Sequence, residues 1–228
     1  MLFRSERIND FLRAHGSKAL IENGYGLTEA SGGFIFSPMS VAEDPDGIGY
    51  PLPDNEVIIM NLKTKKPAKL GQDGEILVRG LSVMKGYLGK PKETNEAFIM
   101  VGGKKYLRTG DIGYADETGL IHFRSRLKRM IISNGYNIYP AQIEDDPKKC
   151  NTINACAAVG REDKLRGEKV VVFVVPEKDA SERAIKKDLA NIYRKNLAKY
   201  EIPREIRFLE ELPKTKLAKV DFKALEQL

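Results

Sequence analysis

The chain has no tryptophan, and only two cysteines and two histidines, in 228 residues. Two thiols, Cys150 and Cys156, cannot build the disulfide framework of a small secreted domain. They cannot complete a structural zinc site without histidine, and His15 and His122 lie far from them in sequence. They read as reduced, buried thiols. His122 alternates with Ile121 and Phe123 in a strand-like run, which predicts a surface position on a strand. Long apolar runs are also missing. The longest notable one, Val170–Val175, falls far short of the ~20 residues that cross a bilayer. The opening MLFRSERIND lacks the apolar core of a secretory signal, and a cytoplasmic location is expected. Its Leu2-Phe3-Arg4-Ser5 reads as translated sequencing adapter, which would make Glu6 the first native residue.

What is present is ordinary for a globular protein: 42% hydrophobic and 31% charged residues. The length allows one large domain or two modest ones. A net charge of +6 favours anionic ligands. The lysines are dispersed and carry no nucleic-acid motif, so no nucleic-acid partner is expected. The basic run Lys63–Lys69 reads as a solvated turn between strands.

Ile8, Phe11 and Leu12 fall at helical spacing, and Gly16 stops that helix. Ala19–Ile21 predicts a short buried strand, followed by a glycine loop, as at the end of a strand in an α/β sheet. From Gly47 short β segments alternate with turns. Strands are expected over Val57–Met60, Glu75–Arg79 and Leu120–Phe123, and turns at Gly71–Gly74 and Asp116–Gly119. A domain boundary is expected at Leu127–Lys128, with an α+β pattern beyond it. Asn134-Gly135, between Met130–Ser133 and Tyr136–Tyr139, is a strong hairpin signal. Pro140 can open a helix through Ile143 and Glu144. Asp146-Pro147 then falls inside that helix, where a proline costs roughly 3 kcal/mol or breaks it. Ala155–Val159, Val170–Val175 and Ile206–Leu209 read as strands. Ser181 can cap a helix that carries Ile185, Leu189, Ile192 and Leu197 on one side.

Three constellations carry chemistry. In Tyr25-Gly26-Leu27-Thr28-Glu29 an aromatic in a glycine-flanked loop can stack on a flat base. The hydroxyl can donate to a phosphate oxygen, and the carboxylate can hold Mg²⁺. The same five residues also read as a loop with a capped turn. In Thr109-Gly110-Asp111 the two carboxylate oxygens can accept both hydroxyls of a ribose, although TGD is also a common turn. Arg126 follows after a hairpin-like segment that can bring it back to Asp111. In Pro213–Asp221 (PKTKLAKVD), Lys219 is by composition one surface lysine among many.

Asn23–Glu29 (NGYGLTE), Tyr106–Tyr114 (YLRTGDIGY), Ser125–Glu144 (SRLKRMIISNGYNIYPAQIE) and Pro213–Asp221, in this order, resemble the adenylate-forming, AMP-binding acyl-CoA synthetases. That resemblance implies a reaction in which ATP and Mg²⁺ convert a carboxylic acid to an acyl adenylate, and coenzyme A then takes the acyl group. It implies a mixed α/β and α+β fold. Residues 1–127 would be the carboxy-terminal part of a large AMP-binding domain, with a parallel-sheet remnant at 6–46 and a distorted β-barrel part at 47–127. Residues 128–228 would be a small mobile α+β domain.

By the resemblance, Asn23, Gly24, Tyr25, Gly26, Thr28, Asp111, Arg126 and Lys219 bind nucleotide. Glu29 holds the metal, and Thr28, Glu29 and Lys219 serve catalysis. Lys128 is the hinge, and Gly135 and Tyr136 lie along the pantetheine path of coenzyme A. Gly135 equally suits the turn of a plain hairpin. The family's phosphate loop lies upstream of the YGxTE segment, so the resemblance implies a chain without it, whose partner is the amino-terminal half of the same enzyme. The expected acid is fatty-acid-like. Ala218 and Ser125 stand where the family has glycine, and an alanine at 218 resists φ > 0. Two other readings stay open: a peptide-synthetase adenylation domain, and a non-catalytic module that binds nucleotide or docks on a partner.

Overall fold

Antiparallel pairing organises the first of the two units into which the chain divides, Met1–Leu127 and Lys128–Leu228. The computed structural model describes residues 2–19, 24–37, 47–147 and 150–228, with side chains from residue 8. Helix α1 (Leu2–Ala14) is followed by a turn through Gly16, whose φ of 73° lies in the left-handed region. Strands β1 (Gly24–Leu27), β2 (Gly32–Phe36), β3 (Gly47–Pro51), β4 (Asn55–Met60) and β5 (Gly74–Gly80) follow. After the short helix α2 (Pro91–Ala97) come β6 (Phe98–Val101), β7 (Lys104–Ala115) and β8 (Ile121–Arg126). The sheet order is β1-β2-β3-β8-β7-β5-β4, with β6 on β7.

Among the described residues this is an open path, and every pairing in the first unit is antiparallel. The glycine loop expected to end a parallel strand is itself β1, antiparallel to β2 with a bulge after Tyr25. Gly26 permits this pairing, because a Cβ there would lie 1.9 Å from the Gly32 carbonyl oxygen. Most of the strand expected at Ala19–Ile21 lies outside the described residues, as does Asn23. The core gathers Phe34, Ile35, Ile76, Val78, Leu107 and Ile121.

His122 is 5% exposed, which corrects the surface expectation. Alternation distinguishes a strand's two faces but not which one is covered. Here β8 lies between β3 and β7, and the imidazole stacks on Tyr114 at 4.4 Å. Its Nε2 lies 2.9 Å from Asp116 Oδ2. Hydrogen bonds from His122 and then Thr118 hold the Asp116 carboxyl down at about 2.

The second unit contains β9 (Ile131–Ser133), β10 (Tyr136–Ile138), α3 (Pro140–Asp145), β11 (Ile153–Asp163) and β12 (Gly167–Pro176). It closes with α4 (Glu182–Asn196), β13 (Glu205–Phe208) and α5 (Phe222–Gln227). The sheet order is β10-β9-β12-β11, with β13 parallel to β12. Val170–Val175 is apolar throughout because β12 is covered on both faces. Val170, Val172 and Val174 meet α4, while Val171, Phe173 and Val175 meet Leu212 and Leu225. The buried residues of α4 are Ile185, Leu189 and Tyr193, with Tyr193 in the place expected of Ile192, while the expected Leu197 is half-buried and packs against the same core. Spacing of i, i+4, i+8 keeps those three in line, and Leu197 already lies outside the helix as its C-cap. Ser181 Oγ accepts from Ala184 N as the expected cap.

Helix α3 stops at Asp145, so Pro147 lies beyond its end rather than inside it. Asp146, the C-cap before that proline, keeps helical backbone angles of φ −67° and ψ −45°, so the proline follows the helix end without occupying its interior. Neither cysteine forms a disulfide, and Cys156 Sγ lies 3.3 Å from the Glu144 carbonyl oxygen.

Candidate functional site

In the first unit, strand register assembles residues from three separate segments. Asp111 and Arg126 are cross-strand partners in the β7–β8 hairpin. Arg126 Nε lies 2.8 Å from Asp111 Oδ1. The Tyr25 hydroxyl donates to Asp111 Oδ2 at 2.6 Å, across 86 residues of sequence. Asp111 N donates to Thr109 Oγ1, whose own hydrogen goes to the Ile76 carbonyl. Asp111 is 1% exposed, so its bonds are charge-assisted in a low-dielectric setting. Burial pushes its pKa above the usual carboxylate value, although the Tyr25 hydroxyl and the Arg126 guanidinium pull the other way. Burial, and then the Asp111 charge, push the Tyr25 phenol far above its usual value.

The Tyr25 ring packs edge-on against Phe34 at 5.3 Å. The ring expected to stack on a base is thus anchored at its hydroxyl and braced on one edge. Gly24 is exposed, with Phe36 ring atoms 3.3 Å from where its Cβ would be.

Beside this cluster is a cavity of about 370 Å³, lined among others by Thr28, Glu29, Tyr87, Arg108, Thr109 and Arg126. Thr28 and Glu29 sit on a 3₁₀ turn, Thr28–Ala30, that follows β1 directly. Glu29 is tied twice to the segment between β5 and α2. Its Oε1 accepts from the Tyr87 hydroxyl at 2.9 Å, and its carbonyl accepts from Met84 N at 2.7 Å. That bond to Glu29 raises the Tyr87 phenol pKa.

Arg108 is held by Glu75, whose oxygens take Nε at 3.1 and 3.2 Å and Nη2 at 2.8 Å. Tyr87, Arg108 and Glu75 were absent from the residues expected at the site. A signal existed for Glu75: a charge inside the apolar strand GEILV is buried and paired, or misplaced. Arg108, adjoining TGD on β7, is the natural partner once β5 and β7 are known to pair. For Tyr87 the sequence alone offers no such cue.

Lys128, Gly135, Tyr136 and Lys219 belong to the other unit, or begin it. Lys128 is exposed in a 3₁₀ turn, Leu127–Arg129. Asn134 and Gly135 have φ of 51° and 79°, as the expected two-residue hairpin turn requires. A Cβ on Gly135 would meet nothing within 4 Å, so backbone conformation alone explains the glycine. Tyr136 is exposed and stacks on Tyr200 at 4.4 Å. Lys219 is exposed on a loop closed by the Lys214–Val220 bridge, and its carbonyl accepts from Thr215 N at 2.7 Å. Ala218 takes the left-handed conformation, φ 58°, despite its methyl group. That geometry costs an L-residue roughly 1–2 kcal/mol.

No group of three or more His, Cys, Asp or Glu among the described residues could hold a metal ion. The lone Glu29 carboxylate at the cavity still fits Mg²⁺, which binds through one or two carboxylates and completes its shell with phosphate and water.

Two family models match the chain: "AMP-binding enzyme" over residues 4–88 and "AMP-binding enzyme C-terminal domain" over residues 142–219. A long-chain-fatty-acid–CoA ligase of Bacillus subtilis is 39% identical over 92% of this chain and 36% of its own length. A feruloyl-CoA synthase of an Amycolatopsis species is 37% identical over 86% of this chain and 39% of its own length. The solved o-succinylbenzoate CoA synthetase of Bacillus subtilis, in complex with its acyl-adenylate intermediate, superposes with a TM-score of 0.81 and 29% identity. That match covers 96% of this chain and 43% of the synthetase. The chain thus spans little more than a third of the length of the curated relatives it matches.

Proposed function

The chain belongs to the adenylate-forming, AMP-binding enzymes, and from that premise we propose that it supplies the carboxy-terminal part of an ATP-dependent acid–thiol ligase acting on a fatty-acid-like carboxylate. In the first step the carboxylate oxygen attacks the α-phosphorus of ATP, and pyrophosphate leaves. In the second the thiol of coenzyme A attacks the acyl carbonyl, AMP leaves, and the thiol proton passes to solvent. Residues 1–127 act as part of the large AMP-binding domain and 128–228 as the small mobile one, in the cytoplasm.

The observation that carries this reading is the convergence of Tyr25, Asp111 and Arg126 beside a cavity lined by Thr28, Glu29 and Thr109. Asp111 holds the ribose hydroxyls, trading its bond to Tyr25 for bonds of equal kind. Tyr25 offers its ring to adenine, and Asn23, Gly24 and Gly26 border the base. Thr28 donates to phosphate. Glu29 would hold Mg²⁺, which would supply positive charge against the phosphate oxygens. Lys219 stabilises the charge that builds at the α-phosphate, and Arg126 joins it at the nucleotide. Lys128 is the hinge, and Gly135 and Tyr136 belong to the path of pantetheine.

Calorimetric titration of this chain with adenosine tests the nucleoside half of the reading. Adenosine is expected to bind, and Asp111→Asn to weaken it roughly tenfold through the lost charge-assisted bonds. A chain that binds no adenosine, or an Asp111→Asn chain that binds it equally well, would refute the assignment.

A further inference from the structure

We propose that Arg108 is a phosphate-binding residue of this site and that Glu75 is the positioning residue that aims it. The inference rests on the nucleotide-binding reading above and assigns two residues that reading does not use. Glu75 is 1% exposed on β5, between apolar neighbours. A carboxylate so placed is costly to fold around unless fully paired, and well-packed apolar residues would fill the position with less loss. Its two oxygens take the Nε and Nη2 edge of Arg108, and Oε1 also accepts from Gly110 N at 3.3 Å. A guanidinium presents five donors in a rigid fork, and this edge uses only some of them. The Nη1 hydrogens and the outer Nη2 hydrogen remain for another acceptor, on a side chain 34% exposed at the cavity.

Arg126 repeats the device on the other side of Thr109. It too is held by a carboxylate that is 1% exposed, and it too lines the cavity. Two cations, each paired with a buried anion, therefore border one space of about 370 Å³, with Glu29 as the acidic side chain lining it. The ligand chemistry that complements this arrangement is a polyanion with several equivalent oxygens, such as linked phosphates. Bidentate recognition of phosphate is the task for which arginine is better suited than lysine.

Inorganic tripolyphosphate and adenosine, titrated separately into this chain, test the proposal. Arg108→Gln is expected to weaken tripolyphosphate by roughly tenfold or more while adenosine changes less than about twofold. Glu75→Gln should weaken tripolyphosphate less, by roughly threefold, because the cation stays but loses its aim. Arg108→Gln leaves a buried carboxylate unpaired and can lower stability. The double variant E75Q/R108Q removes that penalty and must still bind tripolyphosphate poorly. The proposal is overturned if the unaltered chain does not bind tripolyphosphate, if Arg108→Gln keeps affinity within twofold, or if the double variant regains it. If tripolyphosphate binds through Arg108 and adenosine does not bind at all, the nucleoside reading falls and the phosphate-binding role of Arg108 stands.

Discussion

Asp111 and Lys219 are assigned to one nucleotide, yet the fold holds them in opposite ways. Asp111 is buried in a hairpin, with its two oxygens engaged by Tyr25 and Arg126. Lys219 is exposed on a loop whose ends are joined by the Lys214–Val220 bridge, beside an alanine in a left-handed conformation. The difference is one of load. A group that must hold a ribose edge is fixed in advance by the same bonds that stabilise the sheet. A group that carries charge to a reacting phosphate depends on reach, and its side chain contributes nothing to packing. Substitution at the first position therefore disturbs folding and binding together, while substitution at the second separates them.

The largest effect that would break this comparison is on stability. Asp111→Ala leaves the Tyr25 hydroxyl without its acceptor and Arg126 without its counter-ion, and should lower unfolding free energy by about 2 kcal/mol. Urea unfolding followed by far-UV circular dichroism measures it. A loss as small as that of a surface variant would show that the buried network carries no load.

Acid should act on both units. Asp116 in the first and Glu205 in the second are each held at about 2, Glu205 by hydrogen bonds from Lys169 and then Arg207. Both values lie below the unfolded carboxylate range of about 4. Their stabilisation is therefore fully present above pH ~4 and is lost as pH falls through about 2. Carboxyl chemical shifts followed by NMR should titrate near 2, and a midpoint near 4 for either group would remove it from this account.

A smaller change is expected at Ala218. Ala218→Gly relieves the left-handed alanine and should raise stability by about 1 kcal/mol, offset in part by the greater freedom of glycine in the unfolded chain. Thermal melting would detect it, and a lower melting temperature would mean that the loop is not strained. Smallest of all, Lys219→Ala should shift stability by no more than about 0.5 kcal/mol. A larger loss would place Lys219 among the structural residues and erase the contrast with Asp111.

Much of the local structure was legible in the residues. Asn134-Gly135 specifies a hairpin because only a few residue types take φ > 0 twice in succession. Ser181 caps α4, and the apolar run of β12 anticipates a strand covered on both faces. The pairing of Asp111 with Arg126 was within reach as well, since a single hairpin joins them. Partners farther apart were not. Nothing local marks Tyr25 as the donor to Asp111, or Tyr87 as the donor to Glu29, because each pair is brought together by the tertiary fold rather than by spacing along one element. His122 shows the same limit in reverse. Its alternation announces a strand, but the cover over it comes from Tyr114 and Asp116.

By itself, then, the sequence determined those features whose energetics are settled within a few residues: turns that need positive φ, a serine cap, apolar periodicity, and the motifs that mark the family. The tertiary structure decided which charges are buried and which partner each one has. It turned Glu75 from an anomaly in an apolar strand into the anchor of Arg108, and placed Pro147 just past a helix end. It also imposed on Ala218 a conformation that its side chain resists. The physical reason is common to all three. Desolvation and strain are set by what packs around a residue, and the folded chain as a whole chooses those neighbours.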